Sequence, residues 1–160
     1  MAAAVNPHPR VAVIGIISDD QGRVCAGRRI GPLGGGGHLE YGEDIFACVE
    51  RETLEETGLV VRGLKVVGVT NDVFVENNKH YITIWTICER ADPEQQPERL
   101  EPNKCEGWAW KGWDEIKADA SDDEKAEEKN LFLPLANLVR DFPDIDVIVA
   151  SALADKAQQR

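Results

Sequence analysis

Residues 37–59 read GHLEYGEDIFACVERETLEETGL, and their spacing fixes how the rest of the chain is understood. A glycine turn leads into a helix-compatible run that ends in three carboxylates within five residues, Glu52, Glu55 and Glu56. At about 100° per residue on a helix, the three fall within roughly 100° of arc. Like charges so placed repel one another by a few tenths of a kcal/mol per close pair. Out of context this is a solvated, Glu-rich helix face. A fold that gathers such acids on purpose has a cation to hold, and hard oxygen ligands suit Mg²⁺ or Mn²⁺, ions that in turn suit phosphates. Glu43 and Asp44 stand where acidic side chains favour a helix dipole, and Gly58 stands where a helix ends. The pattern predicts a helix over residues 43–57, with Ile45, Cys48 and Val49 buried and Phe46 and Leu54 partly so.

The spacing is that of a longer motif. Gly37 is followed after five residues by Glu43, after seven more by Arg51-Glu52, and then by Thr53, Leu54, Glu55, Glu56, Thr57, Gly58 and Leu59. This resembles the Nudix box, the defining motif of the Nudix hydrolases, with every fixed position filled and one departure, Thr53 in place of an aliphatic residue. The similarity extends outward over roughly residues 9–140. PRVAVIGIISDDQGRVCAGRR (9–29) looks like the family's opening hairpin. VTNDVFVENNKHYITIW (69–85) and LEPNKCEGWAWKGWDEI (100–116) look like the MutT-like branch that includes eukaryotic nucleotide triphosphate diphosphatases, and LFLPLANL (131–138) resembles that branch's C-terminal helix.

Read without the resemblance, the flanks are consistent with it. RVAVIGII (10–17) is a β-branched run that reads as a buried strand. Asp19 to Gly22 is a turn, and residues 23–28 return as a second strand. Residues 60–71, 72–76 and 80–89 read as further strands, the last alternating in YITIWTIC, with Asn77-Asn78-Lys79 as a hairpin turn. A polar, proline-bearing loop over 90–104 precedes a short aromatic strand over 107–111. Residues 114–128 read as an acidic connector, 131–140 as an amphipathic helix and 147–159 as a further helix beyond the resemblance. Strands in a mixed sheet with helices outside make an α/β protein, and the family fold is an α/β/α sandwich. One domain is expected over residues 9–145, with 1–8 and 146–160 as terminal extensions.

Composition narrows the partners. The chain has 160 residues, 42% hydrophobic and 29% charged, with net charge −11. An acidic surface argues against duplex nucleic acid, which needs a basic stripe. It does not exclude one small phosphorylated substrate, because bound divalent ions reverse the local charge. Cys25, Cys48, Cys88 and Cys105 form neither a CxxC pair nor a zinc pattern and read as reduced thiols of a cytoplasmic protein. The start MAAAVNPHPR lacks a secretory pattern, and no apolar run reaches membrane-spanning length.

The resemblance implies a Mg²⁺-dependent pyrophosphohydrolase, with Mn²⁺ as a substitute, that cleaves a nucleoside triphosphate, ordinary or oxidised, to a monophosphate and pyrophosphate. It implies Glu52 and Glu56 as principal metal ligands, Glu55 sharing the metal, and Glu52 orienting or deprotonating the attacking water. The backbone at Gly36-Gly37 is expected to offer a carbonyl to the metal, which needs a residue with no side chain in the way. Glu106 is a further candidate ligand, with a surface glutamate as the alternative. Arg51 is expected to pair with Glu52 or Glu43 and to orient them. Arg28 and Arg29 are candidates for a cationic rim on substrate phosphates, and His38 for approach to phosphate. His80 reads as structural. Trp108 and Trp110, two apart on one strand, read as core. Phe132, Leu133, Pro134 and Leu135 resemble the segment lining the base pocket, with plain core packing as the alternative. Related enzymes dimerise in many cases, so a homodimer is open.

The chain departs from the branch between Arg29 and Gly36. IGPLGG (30–35) stands where a longer loop and a strand ending in Leu-Pro are usual. Two alternatives therefore stay open: a hydrolase of another diphosphate, whether a nucleoside diphosphate derivative or a prenyl diphosphate, and a Nudix-fold binding protein that has lost turnover.

Overall fold

The computed structural model describes residues 8–29, 37–121 and 133–159, with Arg28 and Arg29 described by their backbone alone. Strand β1 (Arg10–Ile17) is followed by β2 (Val24–Arg29), the short β3 (Gly37–His38) and helix α1 (Ile45–Thr57). Then come β4 (Val61–Phe74), a 3₁₀ turn (Val75–Asn77), β5 (Lys79–Arg90) and β6 (Cys105–Lys111). Helices α2 (Trp113–Ala120), α3 (Leu133–Asp141) and α4 (Ile145–Gln158) complete the described chain. The expectations for Gly36, for residues 30–35, for residues 122–128 of the connector and for Leu131 and Phe132 fall outside the described residues.

The main sheet has the order β3-β1-β5-β4. It is mixed, because β1 pairs with β5 in parallel, Arg10 beside Tyr81 and Ile17 beside Cys88, while β3 and β4 run antiparallel to their neighbours. A second, two-stranded sheet pairs β2 with β6. The two faces of the main sheet carry separate cores. Val13, Ile17 and Cys88 pack with Cys48, Val49 and Leu59 beneath α1. Ile16, Trp85 and Ile87 pack on the opposite face with Ile116 of α2, Leu138 of α3, and Ile145 and Val149 of α4. This is the expected α/β layering, helices on both faces of a mixed sheet.

Four local expectations need correction. The helix begins at Ile45, because Asp44 is its N-cap and accepts hydrogen bonds from the Phe46 and Ala47 amides. Leu54 is exposed rather than partly buried; the inward stripe is Cys48, Val49, Thr53 and Thr57. Residues 60–71 and 72–76 are not two strands. One strand runs through Asn71 and Asp72, because Asp72 finds buried hydrogen-bond partners. In β5 the alternation fails over Trp85 to Cys88, all buried, because helices cover both faces there.

The 91–104 connection is held down along its length. Gln95 donates to the Gly58 carbonyl and accepts from the Val60 amide, and the Glu98 amide donates to the Thr57 carbonyl. Arg90 is nearly buried; it donates to the carbonyls of Ser18, Pro93 and Gln95 and lies 5.1 Å from the centre of the Trp110 ring. A buried guanidinium satisfied by carbonyls and an aromatic face is a stable arrangement for a side chain that is never deprotonated.

Candidate active site

The start of β3 and the middle of α1 meet at Gly37 and Glu52. A Cβ at position 37 would lie 1.7 Å from Glu52 Cγ, so the Glu52 side chain occupies the space that any other residue there would need. That is why the turn carries glycine at this position. Glu52 is thereby laid against the β3 backbone instead of extending into solvent.

Arg51 organises the acids around it. Its Nε donates to Glu43 Oε1 at 2.8 Å and its Nη2 to Glu43 Oε2 at 3.0 Å. Its Nη1 donates to Glu52 Oε1 at 2.5 Å and contacts Glu55 Oε2 at 3.5 Å. Nη2 also reaches the His38 carbonyl at 3.3 Å. One guanidinium thus ties the loop acid Glu43 to the helix acids Glu52 and Glu55. The Arg51 hydrogen bonds pull the Glu43 carboxyl down from 4.5 to about 2, and Glu43 in turn raises Arg51. Beneath the cluster, burial pushes the Cys48 thiol up to about 12; its Sγ lies 3.8 Å from the Gly37 carbonyl oxygen. Such a thiol is a neutral packing group, not a nucleophile. Burial pushes Cys25 and Cys88 up to about 12 as well.

Glu56 is partly exposed, one residue further along α1. Lys104, which sequence reasoning passed over, stands in the field of the same acids. Its hydrogen bond to Glu101, at 2.7 Å, and the charges of Glu56 and Glu52 raise it above its ordinary value. Among the described residues no three acids, histidines or cysteines are already gathered into a closed metal cage; Glu52 and Glu55 converge instead on the Arg51 guanidinium. The donor set nonetheless fits a hard divalent cation. It consists of carboxylates and a backbone carbonyl, and one guanidinium does not neutralise Glu43, Glu52, Glu55 and Glu56 together.

Glu106 is exposed and lies between Cys105, which pairs with Arg29, and Gly107, which pairs with Arg28. It is the extra residue of an irregularity in the β2–β6 ladder, next to the strand of the two candidate arginines. His38 faces the other side of the sheet from Glu52. Its Nε2 is 3.2 Å from the Tyr81 hydroxyl, and burial, helped by Arg10, lowers its pKa. His80 is half-buried against Asn71. Trp110 donates to Gln96 at 2.8 Å, and Trp108 stacks over Gly27. Leu133 and Leu135 are half-buried on α3, Leu135 against the core beneath that helix.

A polar cluster that no local pattern announces sits on that same face. Asp72 is fully buried. Its Oδ2 accepts from Thr70 at 3.0 Å and Thr83 at 2.5 Å, and its Oδ1 accepts from Asn137 of α3 at 2.7 Å. Trp85 Nε1 donates to the Thr70 hydroxyl at 3.0 Å. Beside it along the strands, Phe74 and Tyr81 meet edge to face, and Tyr81 meets His38.

Comparison with known proteins agrees with this fold. The NUDIX domain family model matches residues 8–133. An ADP-ribose pyrophosphatase of Methanocaldococcus jannaschii is 37% identical over 85 residues, 50% of this chain and 50% of that protein. The chain therefore spans about half the length of that relative. Among solved structures, a NUDIX hydrolase from Nitrosomonas europaea superposes with a TM-score of 0.55 at 27% identity, over 71% of this chain and 79% of that one. A nudix hydrolase family member from Chromobacterium violaceum superposes with a TM-score of 0.58 at 17% identity, over 96% of this chain and 94% of that one. The last likeness concerns the fold, and its coverage takes in the C-terminal helices.

Proposed function

This chain belongs to the NUDIX domain family, and from that premise we propose that it is a Mg²⁺-dependent pyrophosphohydrolase acting on nucleoside triphosphates, ordinary or oxidised, of the MutT-like kind. The observation that carries the reading is the Arg51-centred acid cluster, with Glu52 laid against Gly37. In this reading Glu52, Glu55 and Glu56, with the Gly37 carbonyl and Glu106 as a further ligand, hold the cation, and Arg28, Arg29 and Lys104 are the cations for substrate phosphates. A bound divalent cation supplies neutralisation of phosphate oxygens and acidifies water. Arg51 holds Glu52 and Glu55 in place against their mutual repulsion, and Glu43 fixes Arg51 from the other side. Glu52 orients the water; the water oxygen bonds to phosphorus as the phosphoanhydride P–O bond breaks, monophosphate and pyrophosphate separate, and the water proton leaves to a carboxylate. On the opposite face, Phe74, Tyr81 and His38 beside the Asp72 cluster support a nucleobase as the leaving or retained group's handle.

A nucleoside diphosphate derivative is the second reading, favoured by the name and 37% identity of the archaeal relative. The test is product release with Mg²⁺ or Mn²⁺ across ordinary and oxidised nucleoside triphosphates, ADP-ribose and a prenyl diphosphate. Monophosphate with pyrophosphate from a triphosphate is the expected result. Glu52→Gln or Glu56→Gln is expected to lower turnover by about 100-fold or more with the fold intact. Full turnover in both variants would remove the assigned ligand roles. No turnover on any substrate by folded wild-type protein would favour a binding role.

A further inference from the structure

A cleft of about 790 Å³ crosses the edge of the main sheet where β4 begins. Phe46 and Glu50 of α1 form one wall, residues 62–65 of β4 the floor, and Ile148, Ala152 and Lys156 of α4 the other wall. Its size is that of a small-molecule site. It is separate from the acid cluster: at about 100° per residue, Glu52, Glu55 and Glu56 stand roughly 120° or more around α1 from Glu50. The floor is fixed by the helix above it. A Cβ at Gly63 would lie 2.5 Å from Phe46 Cδ1, so the ring rests on the strand itself. The Gly63 amide donates to Glu50 Oε1 at 2.9 Å.

The charges in the cleft run against those of the molecule. Arg62, Lys65 and Lys156 line it with two acids, Glu50 and Asp155, in a chain of net charge −11. Glu50 is already engaged with Gly63. Elsewhere Arg51, Arg90, Lys104 and Lys117 are tied to carboxylates or carbonyls. Arg62, Lys65 and Lys156 have no ion-pair or side-chain hydrogen-bond partner among the described residues. Beside them lie Leu64, Ile148 and Ala152, apolar and half-buried. A strand is a poor occupant, because Glu50 takes the Gly63 amide and the ladder shifts register between Gly63 and Lys65 and again between Val66 and Gly68. We propose that the cleft binds a small organic phosphate monoester, its charged group toward Arg62, Lys65 and Lys156 and its apolar body on Phe46, Leu64 and Ile148. Three cations suit a group carrying about two negative charges better than they suit a singly charged carboxylate. This site is independent of whether the acids of α1 turn over a nucleotide.

The test is amide chemical-shift mapping of the full chain with phenyl phosphate as the probe. Low salt leaves exposed charges least screened, and a chelator keeps any divalent cation from bridging the probe to the acids of α1. Saturable shifts are expected at Gly63, Lys65, Ile148 and Ala152. Benzoate and inorganic phosphate, each lacking part of the ligand, are expected to bind about tenfold or more weakly. Arg62→Ser with Lys65→Ser, both exposed positions, is expected to weaken phenyl phosphate by about tenfold or more with the rest of the spectrum unchanged. Lys156→Gln is expected to weaken it from the other wall, and Arg140→Ser on α3 is the control that binds as wild type does. Shifts confined to the residues around Glu52 would overturn the proposal and assign the phosphate to the acid site. So would the absence of saturation at millimolar probe, binding that survives the loss of both β4 cations, or inorganic phosphate that binds as tightly as the ester.

Discussion

Position 37 shows how a single residue type can be dictated by a neighbour's side chain. The turn at Gly37 does not need glycine for an unusual backbone angle; it needs it because Glu52 fills the volume of a Cβ. Gly37→Ala is therefore expected to cost about 1–3 kcal/mol by overpacking. It should also lower turnover by about 100-fold through displacement of Glu52. Urea unfolding and a turnover assay read the two effects, and a variant with wild-type values in both would show that Glu52 moves freely. Glu43 makes a pH prediction. Its folded value of about 2 lies below its ordinary 4.5, so its contribution to stability is fully present above pH 4.5 and disappears as the pH falls toward 2. The melting temperature of Glu43→Gln is expected to fall less than that of wild type over that window; parallel curves would place the acid sensitivity elsewhere. The pairing of Arg51 with Glu43 and Glu52 was anticipated from their places in the motif, although Glu43 lies in the loop before the helix and Glu52 is the next residue along the chain. The Asp72 cluster was not, because Thr70, Asp72, Thr83 and Asn137 come from three elements, and each alone reads as an ordinary polar residue.

Among the elements, α1 was readable because its caps are local: Asp44 before it and Gly58, at φ 73°, after it. Strand β4 was misdivided because polarity at Asn71 and Asp72 mimics a turn, and the donors that bury Asp72 lie far off in sequence. The C-terminal helix α4 shows the same blindness in another form. Its run IDVIVASALADKAQ has no sharp amphipathic stripe, yet Ile145 and Val149 are buried against Trp113, Ile116 and Leu138. Lys117 of α2 adds an ion pair to Asp146 at 2.7 Å, a part-exposed contact worth at most about 1 kcal/mol. Apolar packing therefore decides the docking of α4. Ile145→Ala is expected to destabilise the protein by about 2–5 kcal/mol. Val147→Ala, at a 64% exposed position of the same helix, should change it by no more than about 0.5 kcal/mol. Equal effects in chemical denaturation would mean that α4 is not docked in solution.

At the level of the whole molecule, the layering was legible because one helix with a marked inner stripe and several β-rich runs leave few alternatives. Which helices close the second face was not, since that depends on contacts between segments far apart in the chain. The acidic balance also acts at this scale. A cluster that one guanidinium leaves negative should be relieved by a cation, so Mg²⁺ at about 100 times its dissociation constant is expected to stabilise the fold by about 2.7 kcal/mol. Thermal melts with Mg²⁺ and with chelator read this directly. The gain is expected to vanish in Glu52→Gln combined with Glu56→Gln; a gain that persists would locate the cation away from α1.

The parallel pairing of β1 with β5 bears on the order in which the molecule is assembled. Arg10 finds its partner only when Tyr81 has been made, and Ile17 only when Cys88 has. During synthesis the RVAVIGII strand leaves the ribosome early, with its sticky backbone and side chains unmatched, and the β4–β5 hairpin must form before it can be seated. Closing so long a loop ahead of any reward makes that seating slow. The interval before it, rather than the finished molecule, is when this chain is most exposed to aggregation and has most use for a chaperone.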